Sequence, residues 1–325
     1  PLQYRKLGSS DLNVSVVGLG TNNFGARLPD QAVSARVVHE AIDLGVNLID
    51  TAIGYGGGES EVHVGNATKD RRDEVLIATK FRAEVPKGKT FAQHLFDQCE
   101  TSLASLQTDY IDLYQLHWPV FALTPEEVLE PMARLVEQGK VRYIGECNYS
   151  SWRLAETNMV AGQRGLPRMV SAQHNYNIFS RQVELEIFPY CDQRDVGFLP
   201  YSPLGGGYLT GKYQAGLPAP AGSRGLLGGN EVARLRNDRN EALLEPLGAI
   251  ASENDHTLLD LAFAWMLAHP QVSSVIAGAM SPEQIRGNVA AAEWELTEDQ
   301  LAAIDAISPY ADSGIRGPER EGGRA

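Results

Sequence analysis

The sequence predicts an α/β fold of the (β/α)8, or TIM, barrel class, in which eight parallel strands alternate with helices around one core. The length of 325 residues suits one domain of that size. Short apolar, β-branched segments recur about every 30 residues with amphipathic segments between them, as the barrel plan requires. No Gly-x-Gly-x-x-Gly motif opens the chain, and Gly18-Leu19-Gly20 is too short to replace one.

The elements follow from periodicity and from residues that start or end helices. The eight predicted barrel strands are Val14–Leu19, Leu48–Thr51, Val75–Thr79, Ile111–Leu116, Val141–Gly145, Met169–Gln173, Val196–Pro200 and Ser273–Ala277. The predicted helices include Asp30–Leu44, Thr90–Leu106, Pro125–Glu137, Ser151–Ala161, Arg181–Gln193 and Thr257–Ala268, with helix starts or turns expected at Ser10, Thr124, Ser150 and Ser281. Ahead of the barrel, Tyr4–Leu12 is predicted to be an arm of an N-terminal hairpin that turns at Gly8–Ser10.

The regular repeat is interrupted after the seventh strand. Between Tyr201 and Thr257 the chain is rich in glycine and proline before a charged helical segment begins at Asn230. An insertion of this length is unusual for a plain loop and predicts an extended loop that clamps a ligand. Residues 1–325 are otherwise expected to form one domain with a flexible tail from about residue 308.

Composition excludes several classes of protein. A formal net charge of −13 disfavours a surface that binds the phosphate backbone of a nucleic acid. Cys99, Cys147 and Cys191 form no Cys-x-x-Cys pair, which fits a reducing cytoplasm. The first residues lack the order of a signal peptide, and no apolar run is long enough for a membrane span. We therefore expect a cytoplasmic protein with no nucleic-acid partner and no membrane partner; the oligomeric state, including a homo-oligomer, stays open.

Four polar residues follow the carboxyl ends of predicted strands, where barrel enzymes carry their active sites. They are Asp50, Tyr55, Lys80 and His117. Each alone could be structural: a helix cap, a packing aromatic, a solvated lysine and a core histidine. Together they suggest acid–base chemistry, because an ammonium near a tyrosine favours the phenolate and so lowers the pKa of the phenol. Lys80 would act on Tyr55, Asp50 would orient Lys80, and His117 would hold the substrate oxygen.

Long motifs in the same order resemble the signatures of aldo-keto reductases, nearest the branch that includes potassium-channel β subunits and bacterial aldo/keto reductases. They are Asp50-Thr51-Ala52-x-x-Tyr55-Gly56, Ile77-Ala78-Thr79-Lys80, Tyr110 to His117, Gly139 to Gly145 and Tyr201-Ser202-Pro203-Leu204. The resemblance implies an NADP(H)-dependent oxidoreductase that reduces an aldehyde or ketone to an alcohol, or the reverse. It implies direct hydride transfer from the nicotinamide, with Tyr55 as general acid/base and Asp50, Lys80 and His117 completing a catalytic tetrad.

The resemblance also implies where the cofactor binds. Asn148 and Gln173 would hold the nicotinamide carboxamide and Tyr201 would stack under the ring. Cys147 replaces the serine that usually precedes the asparagine, and a thiol is a weaker hydrogen-bond donor. The implied contacts with the rest of the dinucleotide are Gly20, Thr21, Asp50, Ser202, Pro203, Leu204, Gly205, Gly207, Lys212, Arg224, Gly278, Ser281, Gln284 and Asn288.

The choice of dinucleotide depends on a cation for the 2′-phosphate. The two cations that the family commonly supplies around the eighth strand are replaced by Gly278 and Gln284, which favours NAD. Arg224 could instead make a charge-assisted contact with the phosphate, so we predict NADPH and keep NAD as an alternative. At the mouth of the barrel, Phe24, Ile53, Phe81 and Trp118 are predicted to form the substrate wall with Tyr55 and His117; Val120 fits barrel packing equally well.

Two other functions compete with this one. The glycine-rich segment with Ser223-Arg224 is also compatible with a nicotinamide-binding regulatory or redox-sensing subunit of slow turnover, although the intact tetrad favours catalysis. A metal-dependent hydrolase would have to recruit His63, His117 and His174, which lack metal-ligand spacing. The identity of the substrate and the direction of the reaction cannot be read from the sequence, because mouth loops decide them.

Overall fold

A computed structural model describes residues 2–213, 217–221, 223, 225, 226 and 230–309. Its strands are β1 Tyr4–Lys6, β2 Asn13–Ser15, β3 Val17–Gly20, β4 Leu48–Asp50, β5 Leu76–Phe81, β6 Ile111–Leu116, β7 Val141–Cys147, β8 Met169–Asn175, β9 Gly197–Tyr201 and β10 Val275–Gly278. Its helices are α1 Gln31–Asp43, α2 Glu59–Thr68, α3 Phe91–Leu106, α4 Pro125–Glu137, α5 Ser151–Arg164, α6 Val183–Arg194, α7 Asn230–Leu235, α8 Asp238–Ser252, α9 Leu258–Leu267, α10 Pro282–Ala291 and α11 Glu298–Ile307.

Strands β3 to β10 form a closed parallel barrel, in the order β10-β3-β4-β5-β6-β7-β8-β9, which confirms the predicted fold class. The register brings the carboxyl ends of the strands to one level: Gly20 pairs with Asp50, and Cys147 pairs with Gln173. Apolar faces of the surrounding helices pack on the outside of these strands. Polar residues that are far apart in the chain therefore meet at one end of the barrel.

The N-terminal hairpin closes the opposite end of the barrel. Strands β1 and β2 pair antiparallel, and the turn between them presses Gly8, at φ +52°, against the strand backbone. A β-carbon there would lie 2.5 Å from the Gly197 nitrogen, so no side chain fits. Hairpin residues and inward-facing strand residues share one apolar cluster: Leu7, Leu12, Val14, Leu48, Ala78, Leu113, Val170, Leu199 and Ile276.

The first barrel strand begins later than predicted. The segment expected as one strand, Val14–Leu19, is divided between β2 of the hairpin and β3 of the barrel. Between them the Val16 N–H donates to the Gln3 carbonyl at 3.0 Å, and the Ser15 hydroxyl donates to the Val17 carbonyl at 2.7 Å. Val14, Val16, Val17 and Leu19 follow one another closely across this segment, so the apolar residues alone do not show the break.

Helix α2 was absent from the predicted helices, as was α11; for α10 only a start at Ser281 was expected. Helix α2 follows Gly56, Gly57 and Gly58, has no side-chain N-cap, and buries polar residues such as Ser60 and Glu61, so it lacks the usual signals. The Ser60 hydroxyl lies 2.9 Å from the Thr21 hydroxyl and 3.0 Å from the Thr51 hydroxyl. This helix therefore ties together the segments that follow β3 and β4.

The insertion after β9 begins with a 3-10 turn, Gly205–Thr210, and continues to α7 and α8, as the charged segment from Asn230 predicted. Arg224 lies outside the described residues, and so does the predicted tail from residue 310 onwards.

Ser281, expected as a helix start, is the N-cap of α10, where its hydroxyl accepts from the Gln284 N–H. Among the described residues, no helix combines the length and the apolar character needed to cross a membrane.

Candidate active site

A cavity of about 790 Å³ opens at the carboxyl ends of the barrel strands. Asp50 and Tyr55 lie at its inner end, and residues of α9 and α10 line the other end. Its volume is within the range of small-molecule and cofactor sites, and its position is the one where barrel enzymes carry out chemistry.

Lys80 is the buried centre of the inner end. Its side chain extends from β5 with no exposed surface. The ammonium donates to Asp50 Oδ2 at 2.6 Å and to the Thr51 carbonyl at 2.8 Å, and its Nζ lies 3.5 Å from the Tyr55 hydroxyl. Burial lowers the pKa of Lys80. The charges of Asp50 and Tyr55 raise it and outweigh burial, so the net pKa lies above the ordinary value. The lysine is therefore a fixed positive charge beside the phenol.

The environment of Tyr55 differs in one respect from what the sequence predicted. Burial raises the pKa of the phenol, the Lys80 charge lowers it, Asp50 raises it, and the net pKa is above the ordinary value. Lys80 thus contributes in the expected direction, but desolvation outweighs it. The phenol is consequently protonated at neutral pH, the form that a proton donor needs.

His117 contacts Tyr55 edge to face, with ring centroids 5.6 Å apart. Burial lowers the pKa of His117 to about 3, with further contributions from the charges of Lys80 and Arg82. The imidazole is therefore neutral across the physiological range, and it can offer one N–H to a substrate oxygen without adding a positive charge.

The three residues predicted to hold the nicotinamide lie together at the ends of β7, β8 and β9. The Tyr201 hydroxyl donates to Asn148 Oδ1 at 2.9 Å, and Asn148 Nδ2 lies 3.3 Å from the His117 carbonyl. Gln173 Nε2 donates to Asp50 Oδ1 at 2.8 Å. The Cys147 thiol is buried 3.9 Å from Gln115 Oε1. These bonds fix the amide groups and join them to the Asp50–Lys80 pair.

Most residues predicted to bind the cofactor line the cavity. They are Gly20, Thr21, Asp50, Tyr201, Ser202, Pro203, Leu204, Gly207, Lys212, Gly278, Ser281, Gln284 and Asn288. Asn148, Gln173 and Gly205 are outside this lining; Gln173 and Gly205 are buried, Asn148 partly so. The structure thus brings the two ends of the predicted site, from Gly20 to Asn288, around one cavity.

The lining also contains residues that the sequence did not single out. Asn22, Asn23 and Arg27 come from the loop after β3. Their position in the sequence could have indicated this role, because the loop follows the carboxyl end of a barrel strand, where polar residues face a ligand site. Arg27 is, with Lys212, one of two cations in the described lining of the cavity.

Two observations fit a dinucleotide in this cavity. Asn288 is 3% exposed and its Nδ2 donor has no hydrogen-bond partner among the described residues, so it suits a ligand acceptor. Gly207, at φ +100°, leaves room for Lys212, whose Nζ would lie 2.6 Å from a β-carbon at that position. A loop of this kind lets backbone and a cation approach phosphates closely.

Two members of the predicted substrate wall are fully buried and lie outside the lining of the cavity. Phe24 and Phe81 have no exposed surface and pack in the core, Phe81 against Tyr114 at 4.8 Å between ring centroids. Phe81 ends β5 and lies near Phe91 at the start of α3, whereas Phe24 lies in the loop after β3, near His63 of α2. Ile53 is partly buried, and Trp118 is 54% exposed and stacks on His117 at 5.9 Å.

Comparison with known proteins agrees with this geometry. A sequence profile described as the aldo/keto reductase family matches residues 16–309, which include the whole barrel. The chain belongs to the aldo/keto reductase family.

Three relatives resemble this aldo/keto reductase over almost its whole length. "Uncharacterized oxidoreductase YrpG" of Bacillus subtilis is 32% identical over 95% of this chain and 96% of its own. "Protein tas" of Escherichia coli is 30% identical over 94% of this chain and 97% of its own. The solved structure of aldo-keto reductase AKR11C1 from Bacillus halodurans, in its holo form, has a TM-score of 0.77 at 30% identity and covers 95% of this chain and 97% of that one.

Proposed function

We propose that this chain is an NADP(H)-dependent carbonyl reductase that converts an aldehyde or ketone to an alcohol, or the reverse, with Tyr55 as general acid/base. The observation that carries the proposal is the chain of contacts from Asp50 Oδ2 through Lys80 Nζ to the Tyr55 hydroxyl, at 2.6 and 3.5 Å, at the inner end of the cavity. A bound reduced nicotinamide would supply the hydride for the carbonyl carbon.

Tyr55 gives its proton to the carbonyl oxygen as the carbon is reduced. Loss of the proton leaves a phenolate, and the Lys80 ammonium stabilises this anion from a buried position where water does not screen the charge. Asp50 accepts from both Lys80 and Gln173, so the lysine is held towards Tyr55. A proton from solvent then restores the phenol, and in the reverse direction the phenolate accepts the alcohol proton.

His117 positions the carbonyl oxygen. Its ring lies beside Tyr55, and the neutral imidazole can donate one hydrogen bond to the same oxygen that receives the proton. Two donors converging on one oxygen polarise the carbonyl and fix its direction. Ile53 and Trp118 would contact the rest of the substrate, a small carbonyl compound or alcohol.

The cofactor would extend from Tyr201 and Asn148, at the nicotinamide, to Asn288, at the adenosine. Lys212 and the glycines beside it would meet the pyrophosphate, and the start of α10 can offer backbone N–H groups. Arg224 is our candidate for the 2′-phosphate, and Arg27 adds positive charge to the described lining. Glu283 lies in the same lining and would oppose the phosphate, which is why NAD stays an alternative.

A panel of aldehydes, ketones and alcohols, incubated with NADPH or NADP⁺, tests the proposal. We expect consumption of NADPH with at least one carbonyl class, and formation of one alcohol per NADPH consumed. Stoichiometric binding of the dinucleotide without turnover on any compound would contradict it and favour a regulatory, nicotinamide-binding subunit. A heat-inactivated sample and the Tyr55→Phe variant serve as controls for non-enzymatic reduction.

A further inference from the structure

A buried glutamate and histidine face each other just outside the barrel wall, behind the predicted nicotinamide site. Glu146, on β7, has no exposed surface, and His174, on β8, is 8% exposed. Glu146 Oε1 lies 3.2 Å from His174 Nε2, and the His174 ring stacks on Phe198 of the next strand at 5.9 Å. A carboxyl group buried near the end of β7 is costly unless its oxygens are bonded.

The second oxygen of Glu146 holds the segment that follows β7. Glu146 Oε2 accepts the Tyr149 N–H at 2.8 Å. Between these two residues, Asn148 has a φ of +64°, a left-handed conformation that asparagine adopts more readily than most residues other than glycine. The Asn148 N–H donates to the Gln173 carbonyl at 3.1 Å. The bonds on either side of Asn148 thus hold the turn that carries its side chain.

Successive side chains on a strand point to opposite faces. Gln173 faces the inside of the barrel, where it reaches Asp50, and its neighbour His174 faces outward. On β7, Cys147 lies inside near Gln115, and Glu146 lies outside. One carboxylate on the outer face therefore contacts both the turn that carries Asn148 and the residue next to Gln173.

We propose that Glu146 is a positioning residue, whose carboxylate bridges the turn at Asn148 and the end of β8 so that Asn148 and Gln173 are aimed together at the nicotinamide carboxamide. This inference rests on the proposed function, because it assumes that a nicotinamide dinucleotide binds here. Glu146 touches neither substrate nor cofactor; it acts through the backbone of Tyr149 and through His174.

The test compares binding of the whole dinucleotide with binding of its adenosine half alone. NADPH and adenosine 2′,5′-bisphosphate, which lacks the nicotinamide, are each titrated into wild type and variants. Glu146→Leu leaves the Tyr149 N–H without its acceptor, so the Kd for NADPH should rise about 10-fold, while the Kd for the bisphosphate stays within about 2-fold. Glu146→Gln keeps an acceptor for that N–H and should restore the Kd for NADPH to within about 3-fold of wild type.

Asn158→Leu is the matched control. The Asn158 side chain bonds to both backbone polar groups of Met169, at 2.8 and 3.1 Å, at the opposite end of β8. The substitution therefore removes a buried side chain of α5 that bonds to the same strand, at the end away from Gln173. We expect a lower melting temperature with an unchanged ratio of the two Kd values.

The outcomes distinguish failure of this inference from failure of the proposed function. If Glu146→Leu keeps the wild-type ratio of the Kd for NADPH to the Kd for the bisphosphate, Glu146 is only structural and the inference is wrong. If Glu146→Leu does not fold, His174→Leu is used instead, because it removes the bridge to β8 and should shift the ratio in the same direction by about 3-fold; an unchanged ratio overturns the inference. If wild type binds neither compound, the proposed function fails, and the inference fails with it.

Discussion

The two ends of the cavity are built differently. At the inner end, Asp50 and Lys80 stand on strands, with side chains 4% and 1% exposed. At the outer end, Lys212 is exposed on a segment that contains Gly206 and Gly207 in left-handed conformations. Tyr55 itself begins a 3-10 turn, but its hydroxyl lies 3.5 Å from the ammonium of the strand residue Lys80. Proton transfer requires closely fixed atoms, whereas a dinucleotide must enter and leave, which suits a loop. Substitutions at the inner end should therefore affect the rate, and those at the outer end the affinity.

The largest effect is expected for Tyr55→Phe, which removes only the hydroxyl at the inner end. Without a proton donor, turnover should fall by at least about 100-fold, the usual scale for general acid–base catalysis. The Kd for NADPH should stay nearly unchanged, because the phenyl ring remains. Single-turnover kinetics and cofactor titration measure the two quantities. A variant that retained more than about a tenth of the wild-type chemical rate would remove Tyr55 from the mechanism.

Lys80→Met should lower the rate and also move its pH dependence. The Lys80 charge lowers the pKa of Tyr55 against the effect of burial, so its loss should raise that pKa further. Reduction needs the phenol and oxidation the phenolate. The pH at which oxidation gains activity, and reduction loses it, should therefore move upward.

Lys212→Met is the matched control, since it removes a lysine at the outer end of the same cavity. It should raise the Kd for the cofactor and leave the pH profile as in wild type. A Lys80→Met profile of unchanged shape would mean that Lys80 only positions Tyr55. The melting temperature of Lys80→Met, compared with that of Lys212→Met, reports how far the Asp50 carboxylate destabilises the fold once its lysine partner is removed.

The smallest effect concerns the choice of dinucleotide at the outer end. Arg224→Ala should raise the Kd for NADPH about 10-fold or more and leave the Kd for NADH nearly unchanged, because a charge-assisted contact to the 2′-phosphate is lost. Lys212→Ala should instead weaken both dinucleotides equally, since both carry the pyrophosphate. Equal losses of NADPH and NADH in Arg224→Ala, or tighter NADH binding by wild type, would reject Arg224 as the phosphate ligand.

The contrast between residues on strands and residues on loops also explains which site residues could be predicted from the sequence. Asp50, Lys80 and His117 could be located because each ends an apolar segment of regular spacing, and the barrel brings such ends together. Arg27 and Asn22 were missed, because a loop residue carries no periodicity that says which way its side chain points. Phe24 and Phe81 were placed at the mouth, but sequence distance from a strand end does not distinguish a side chain in the cavity from one in the helix layer.

The sequence by itself determined the number and order of the barrel strands, because buried parallel strands require continuous apolar segments and tolerate few polar residues. It also determined the chemistry available at their ends. Only the tertiary structure decided the pKa of Tyr55, where desolvation outweighs Lys80, and the partners of Glu146, whose oxygens meet His174 and the Tyr149 backbone. Both depend on how deeply a group is buried and on which groups surround it, and these are properties of the packed barrel that neighbouring residues in the chain do not specify.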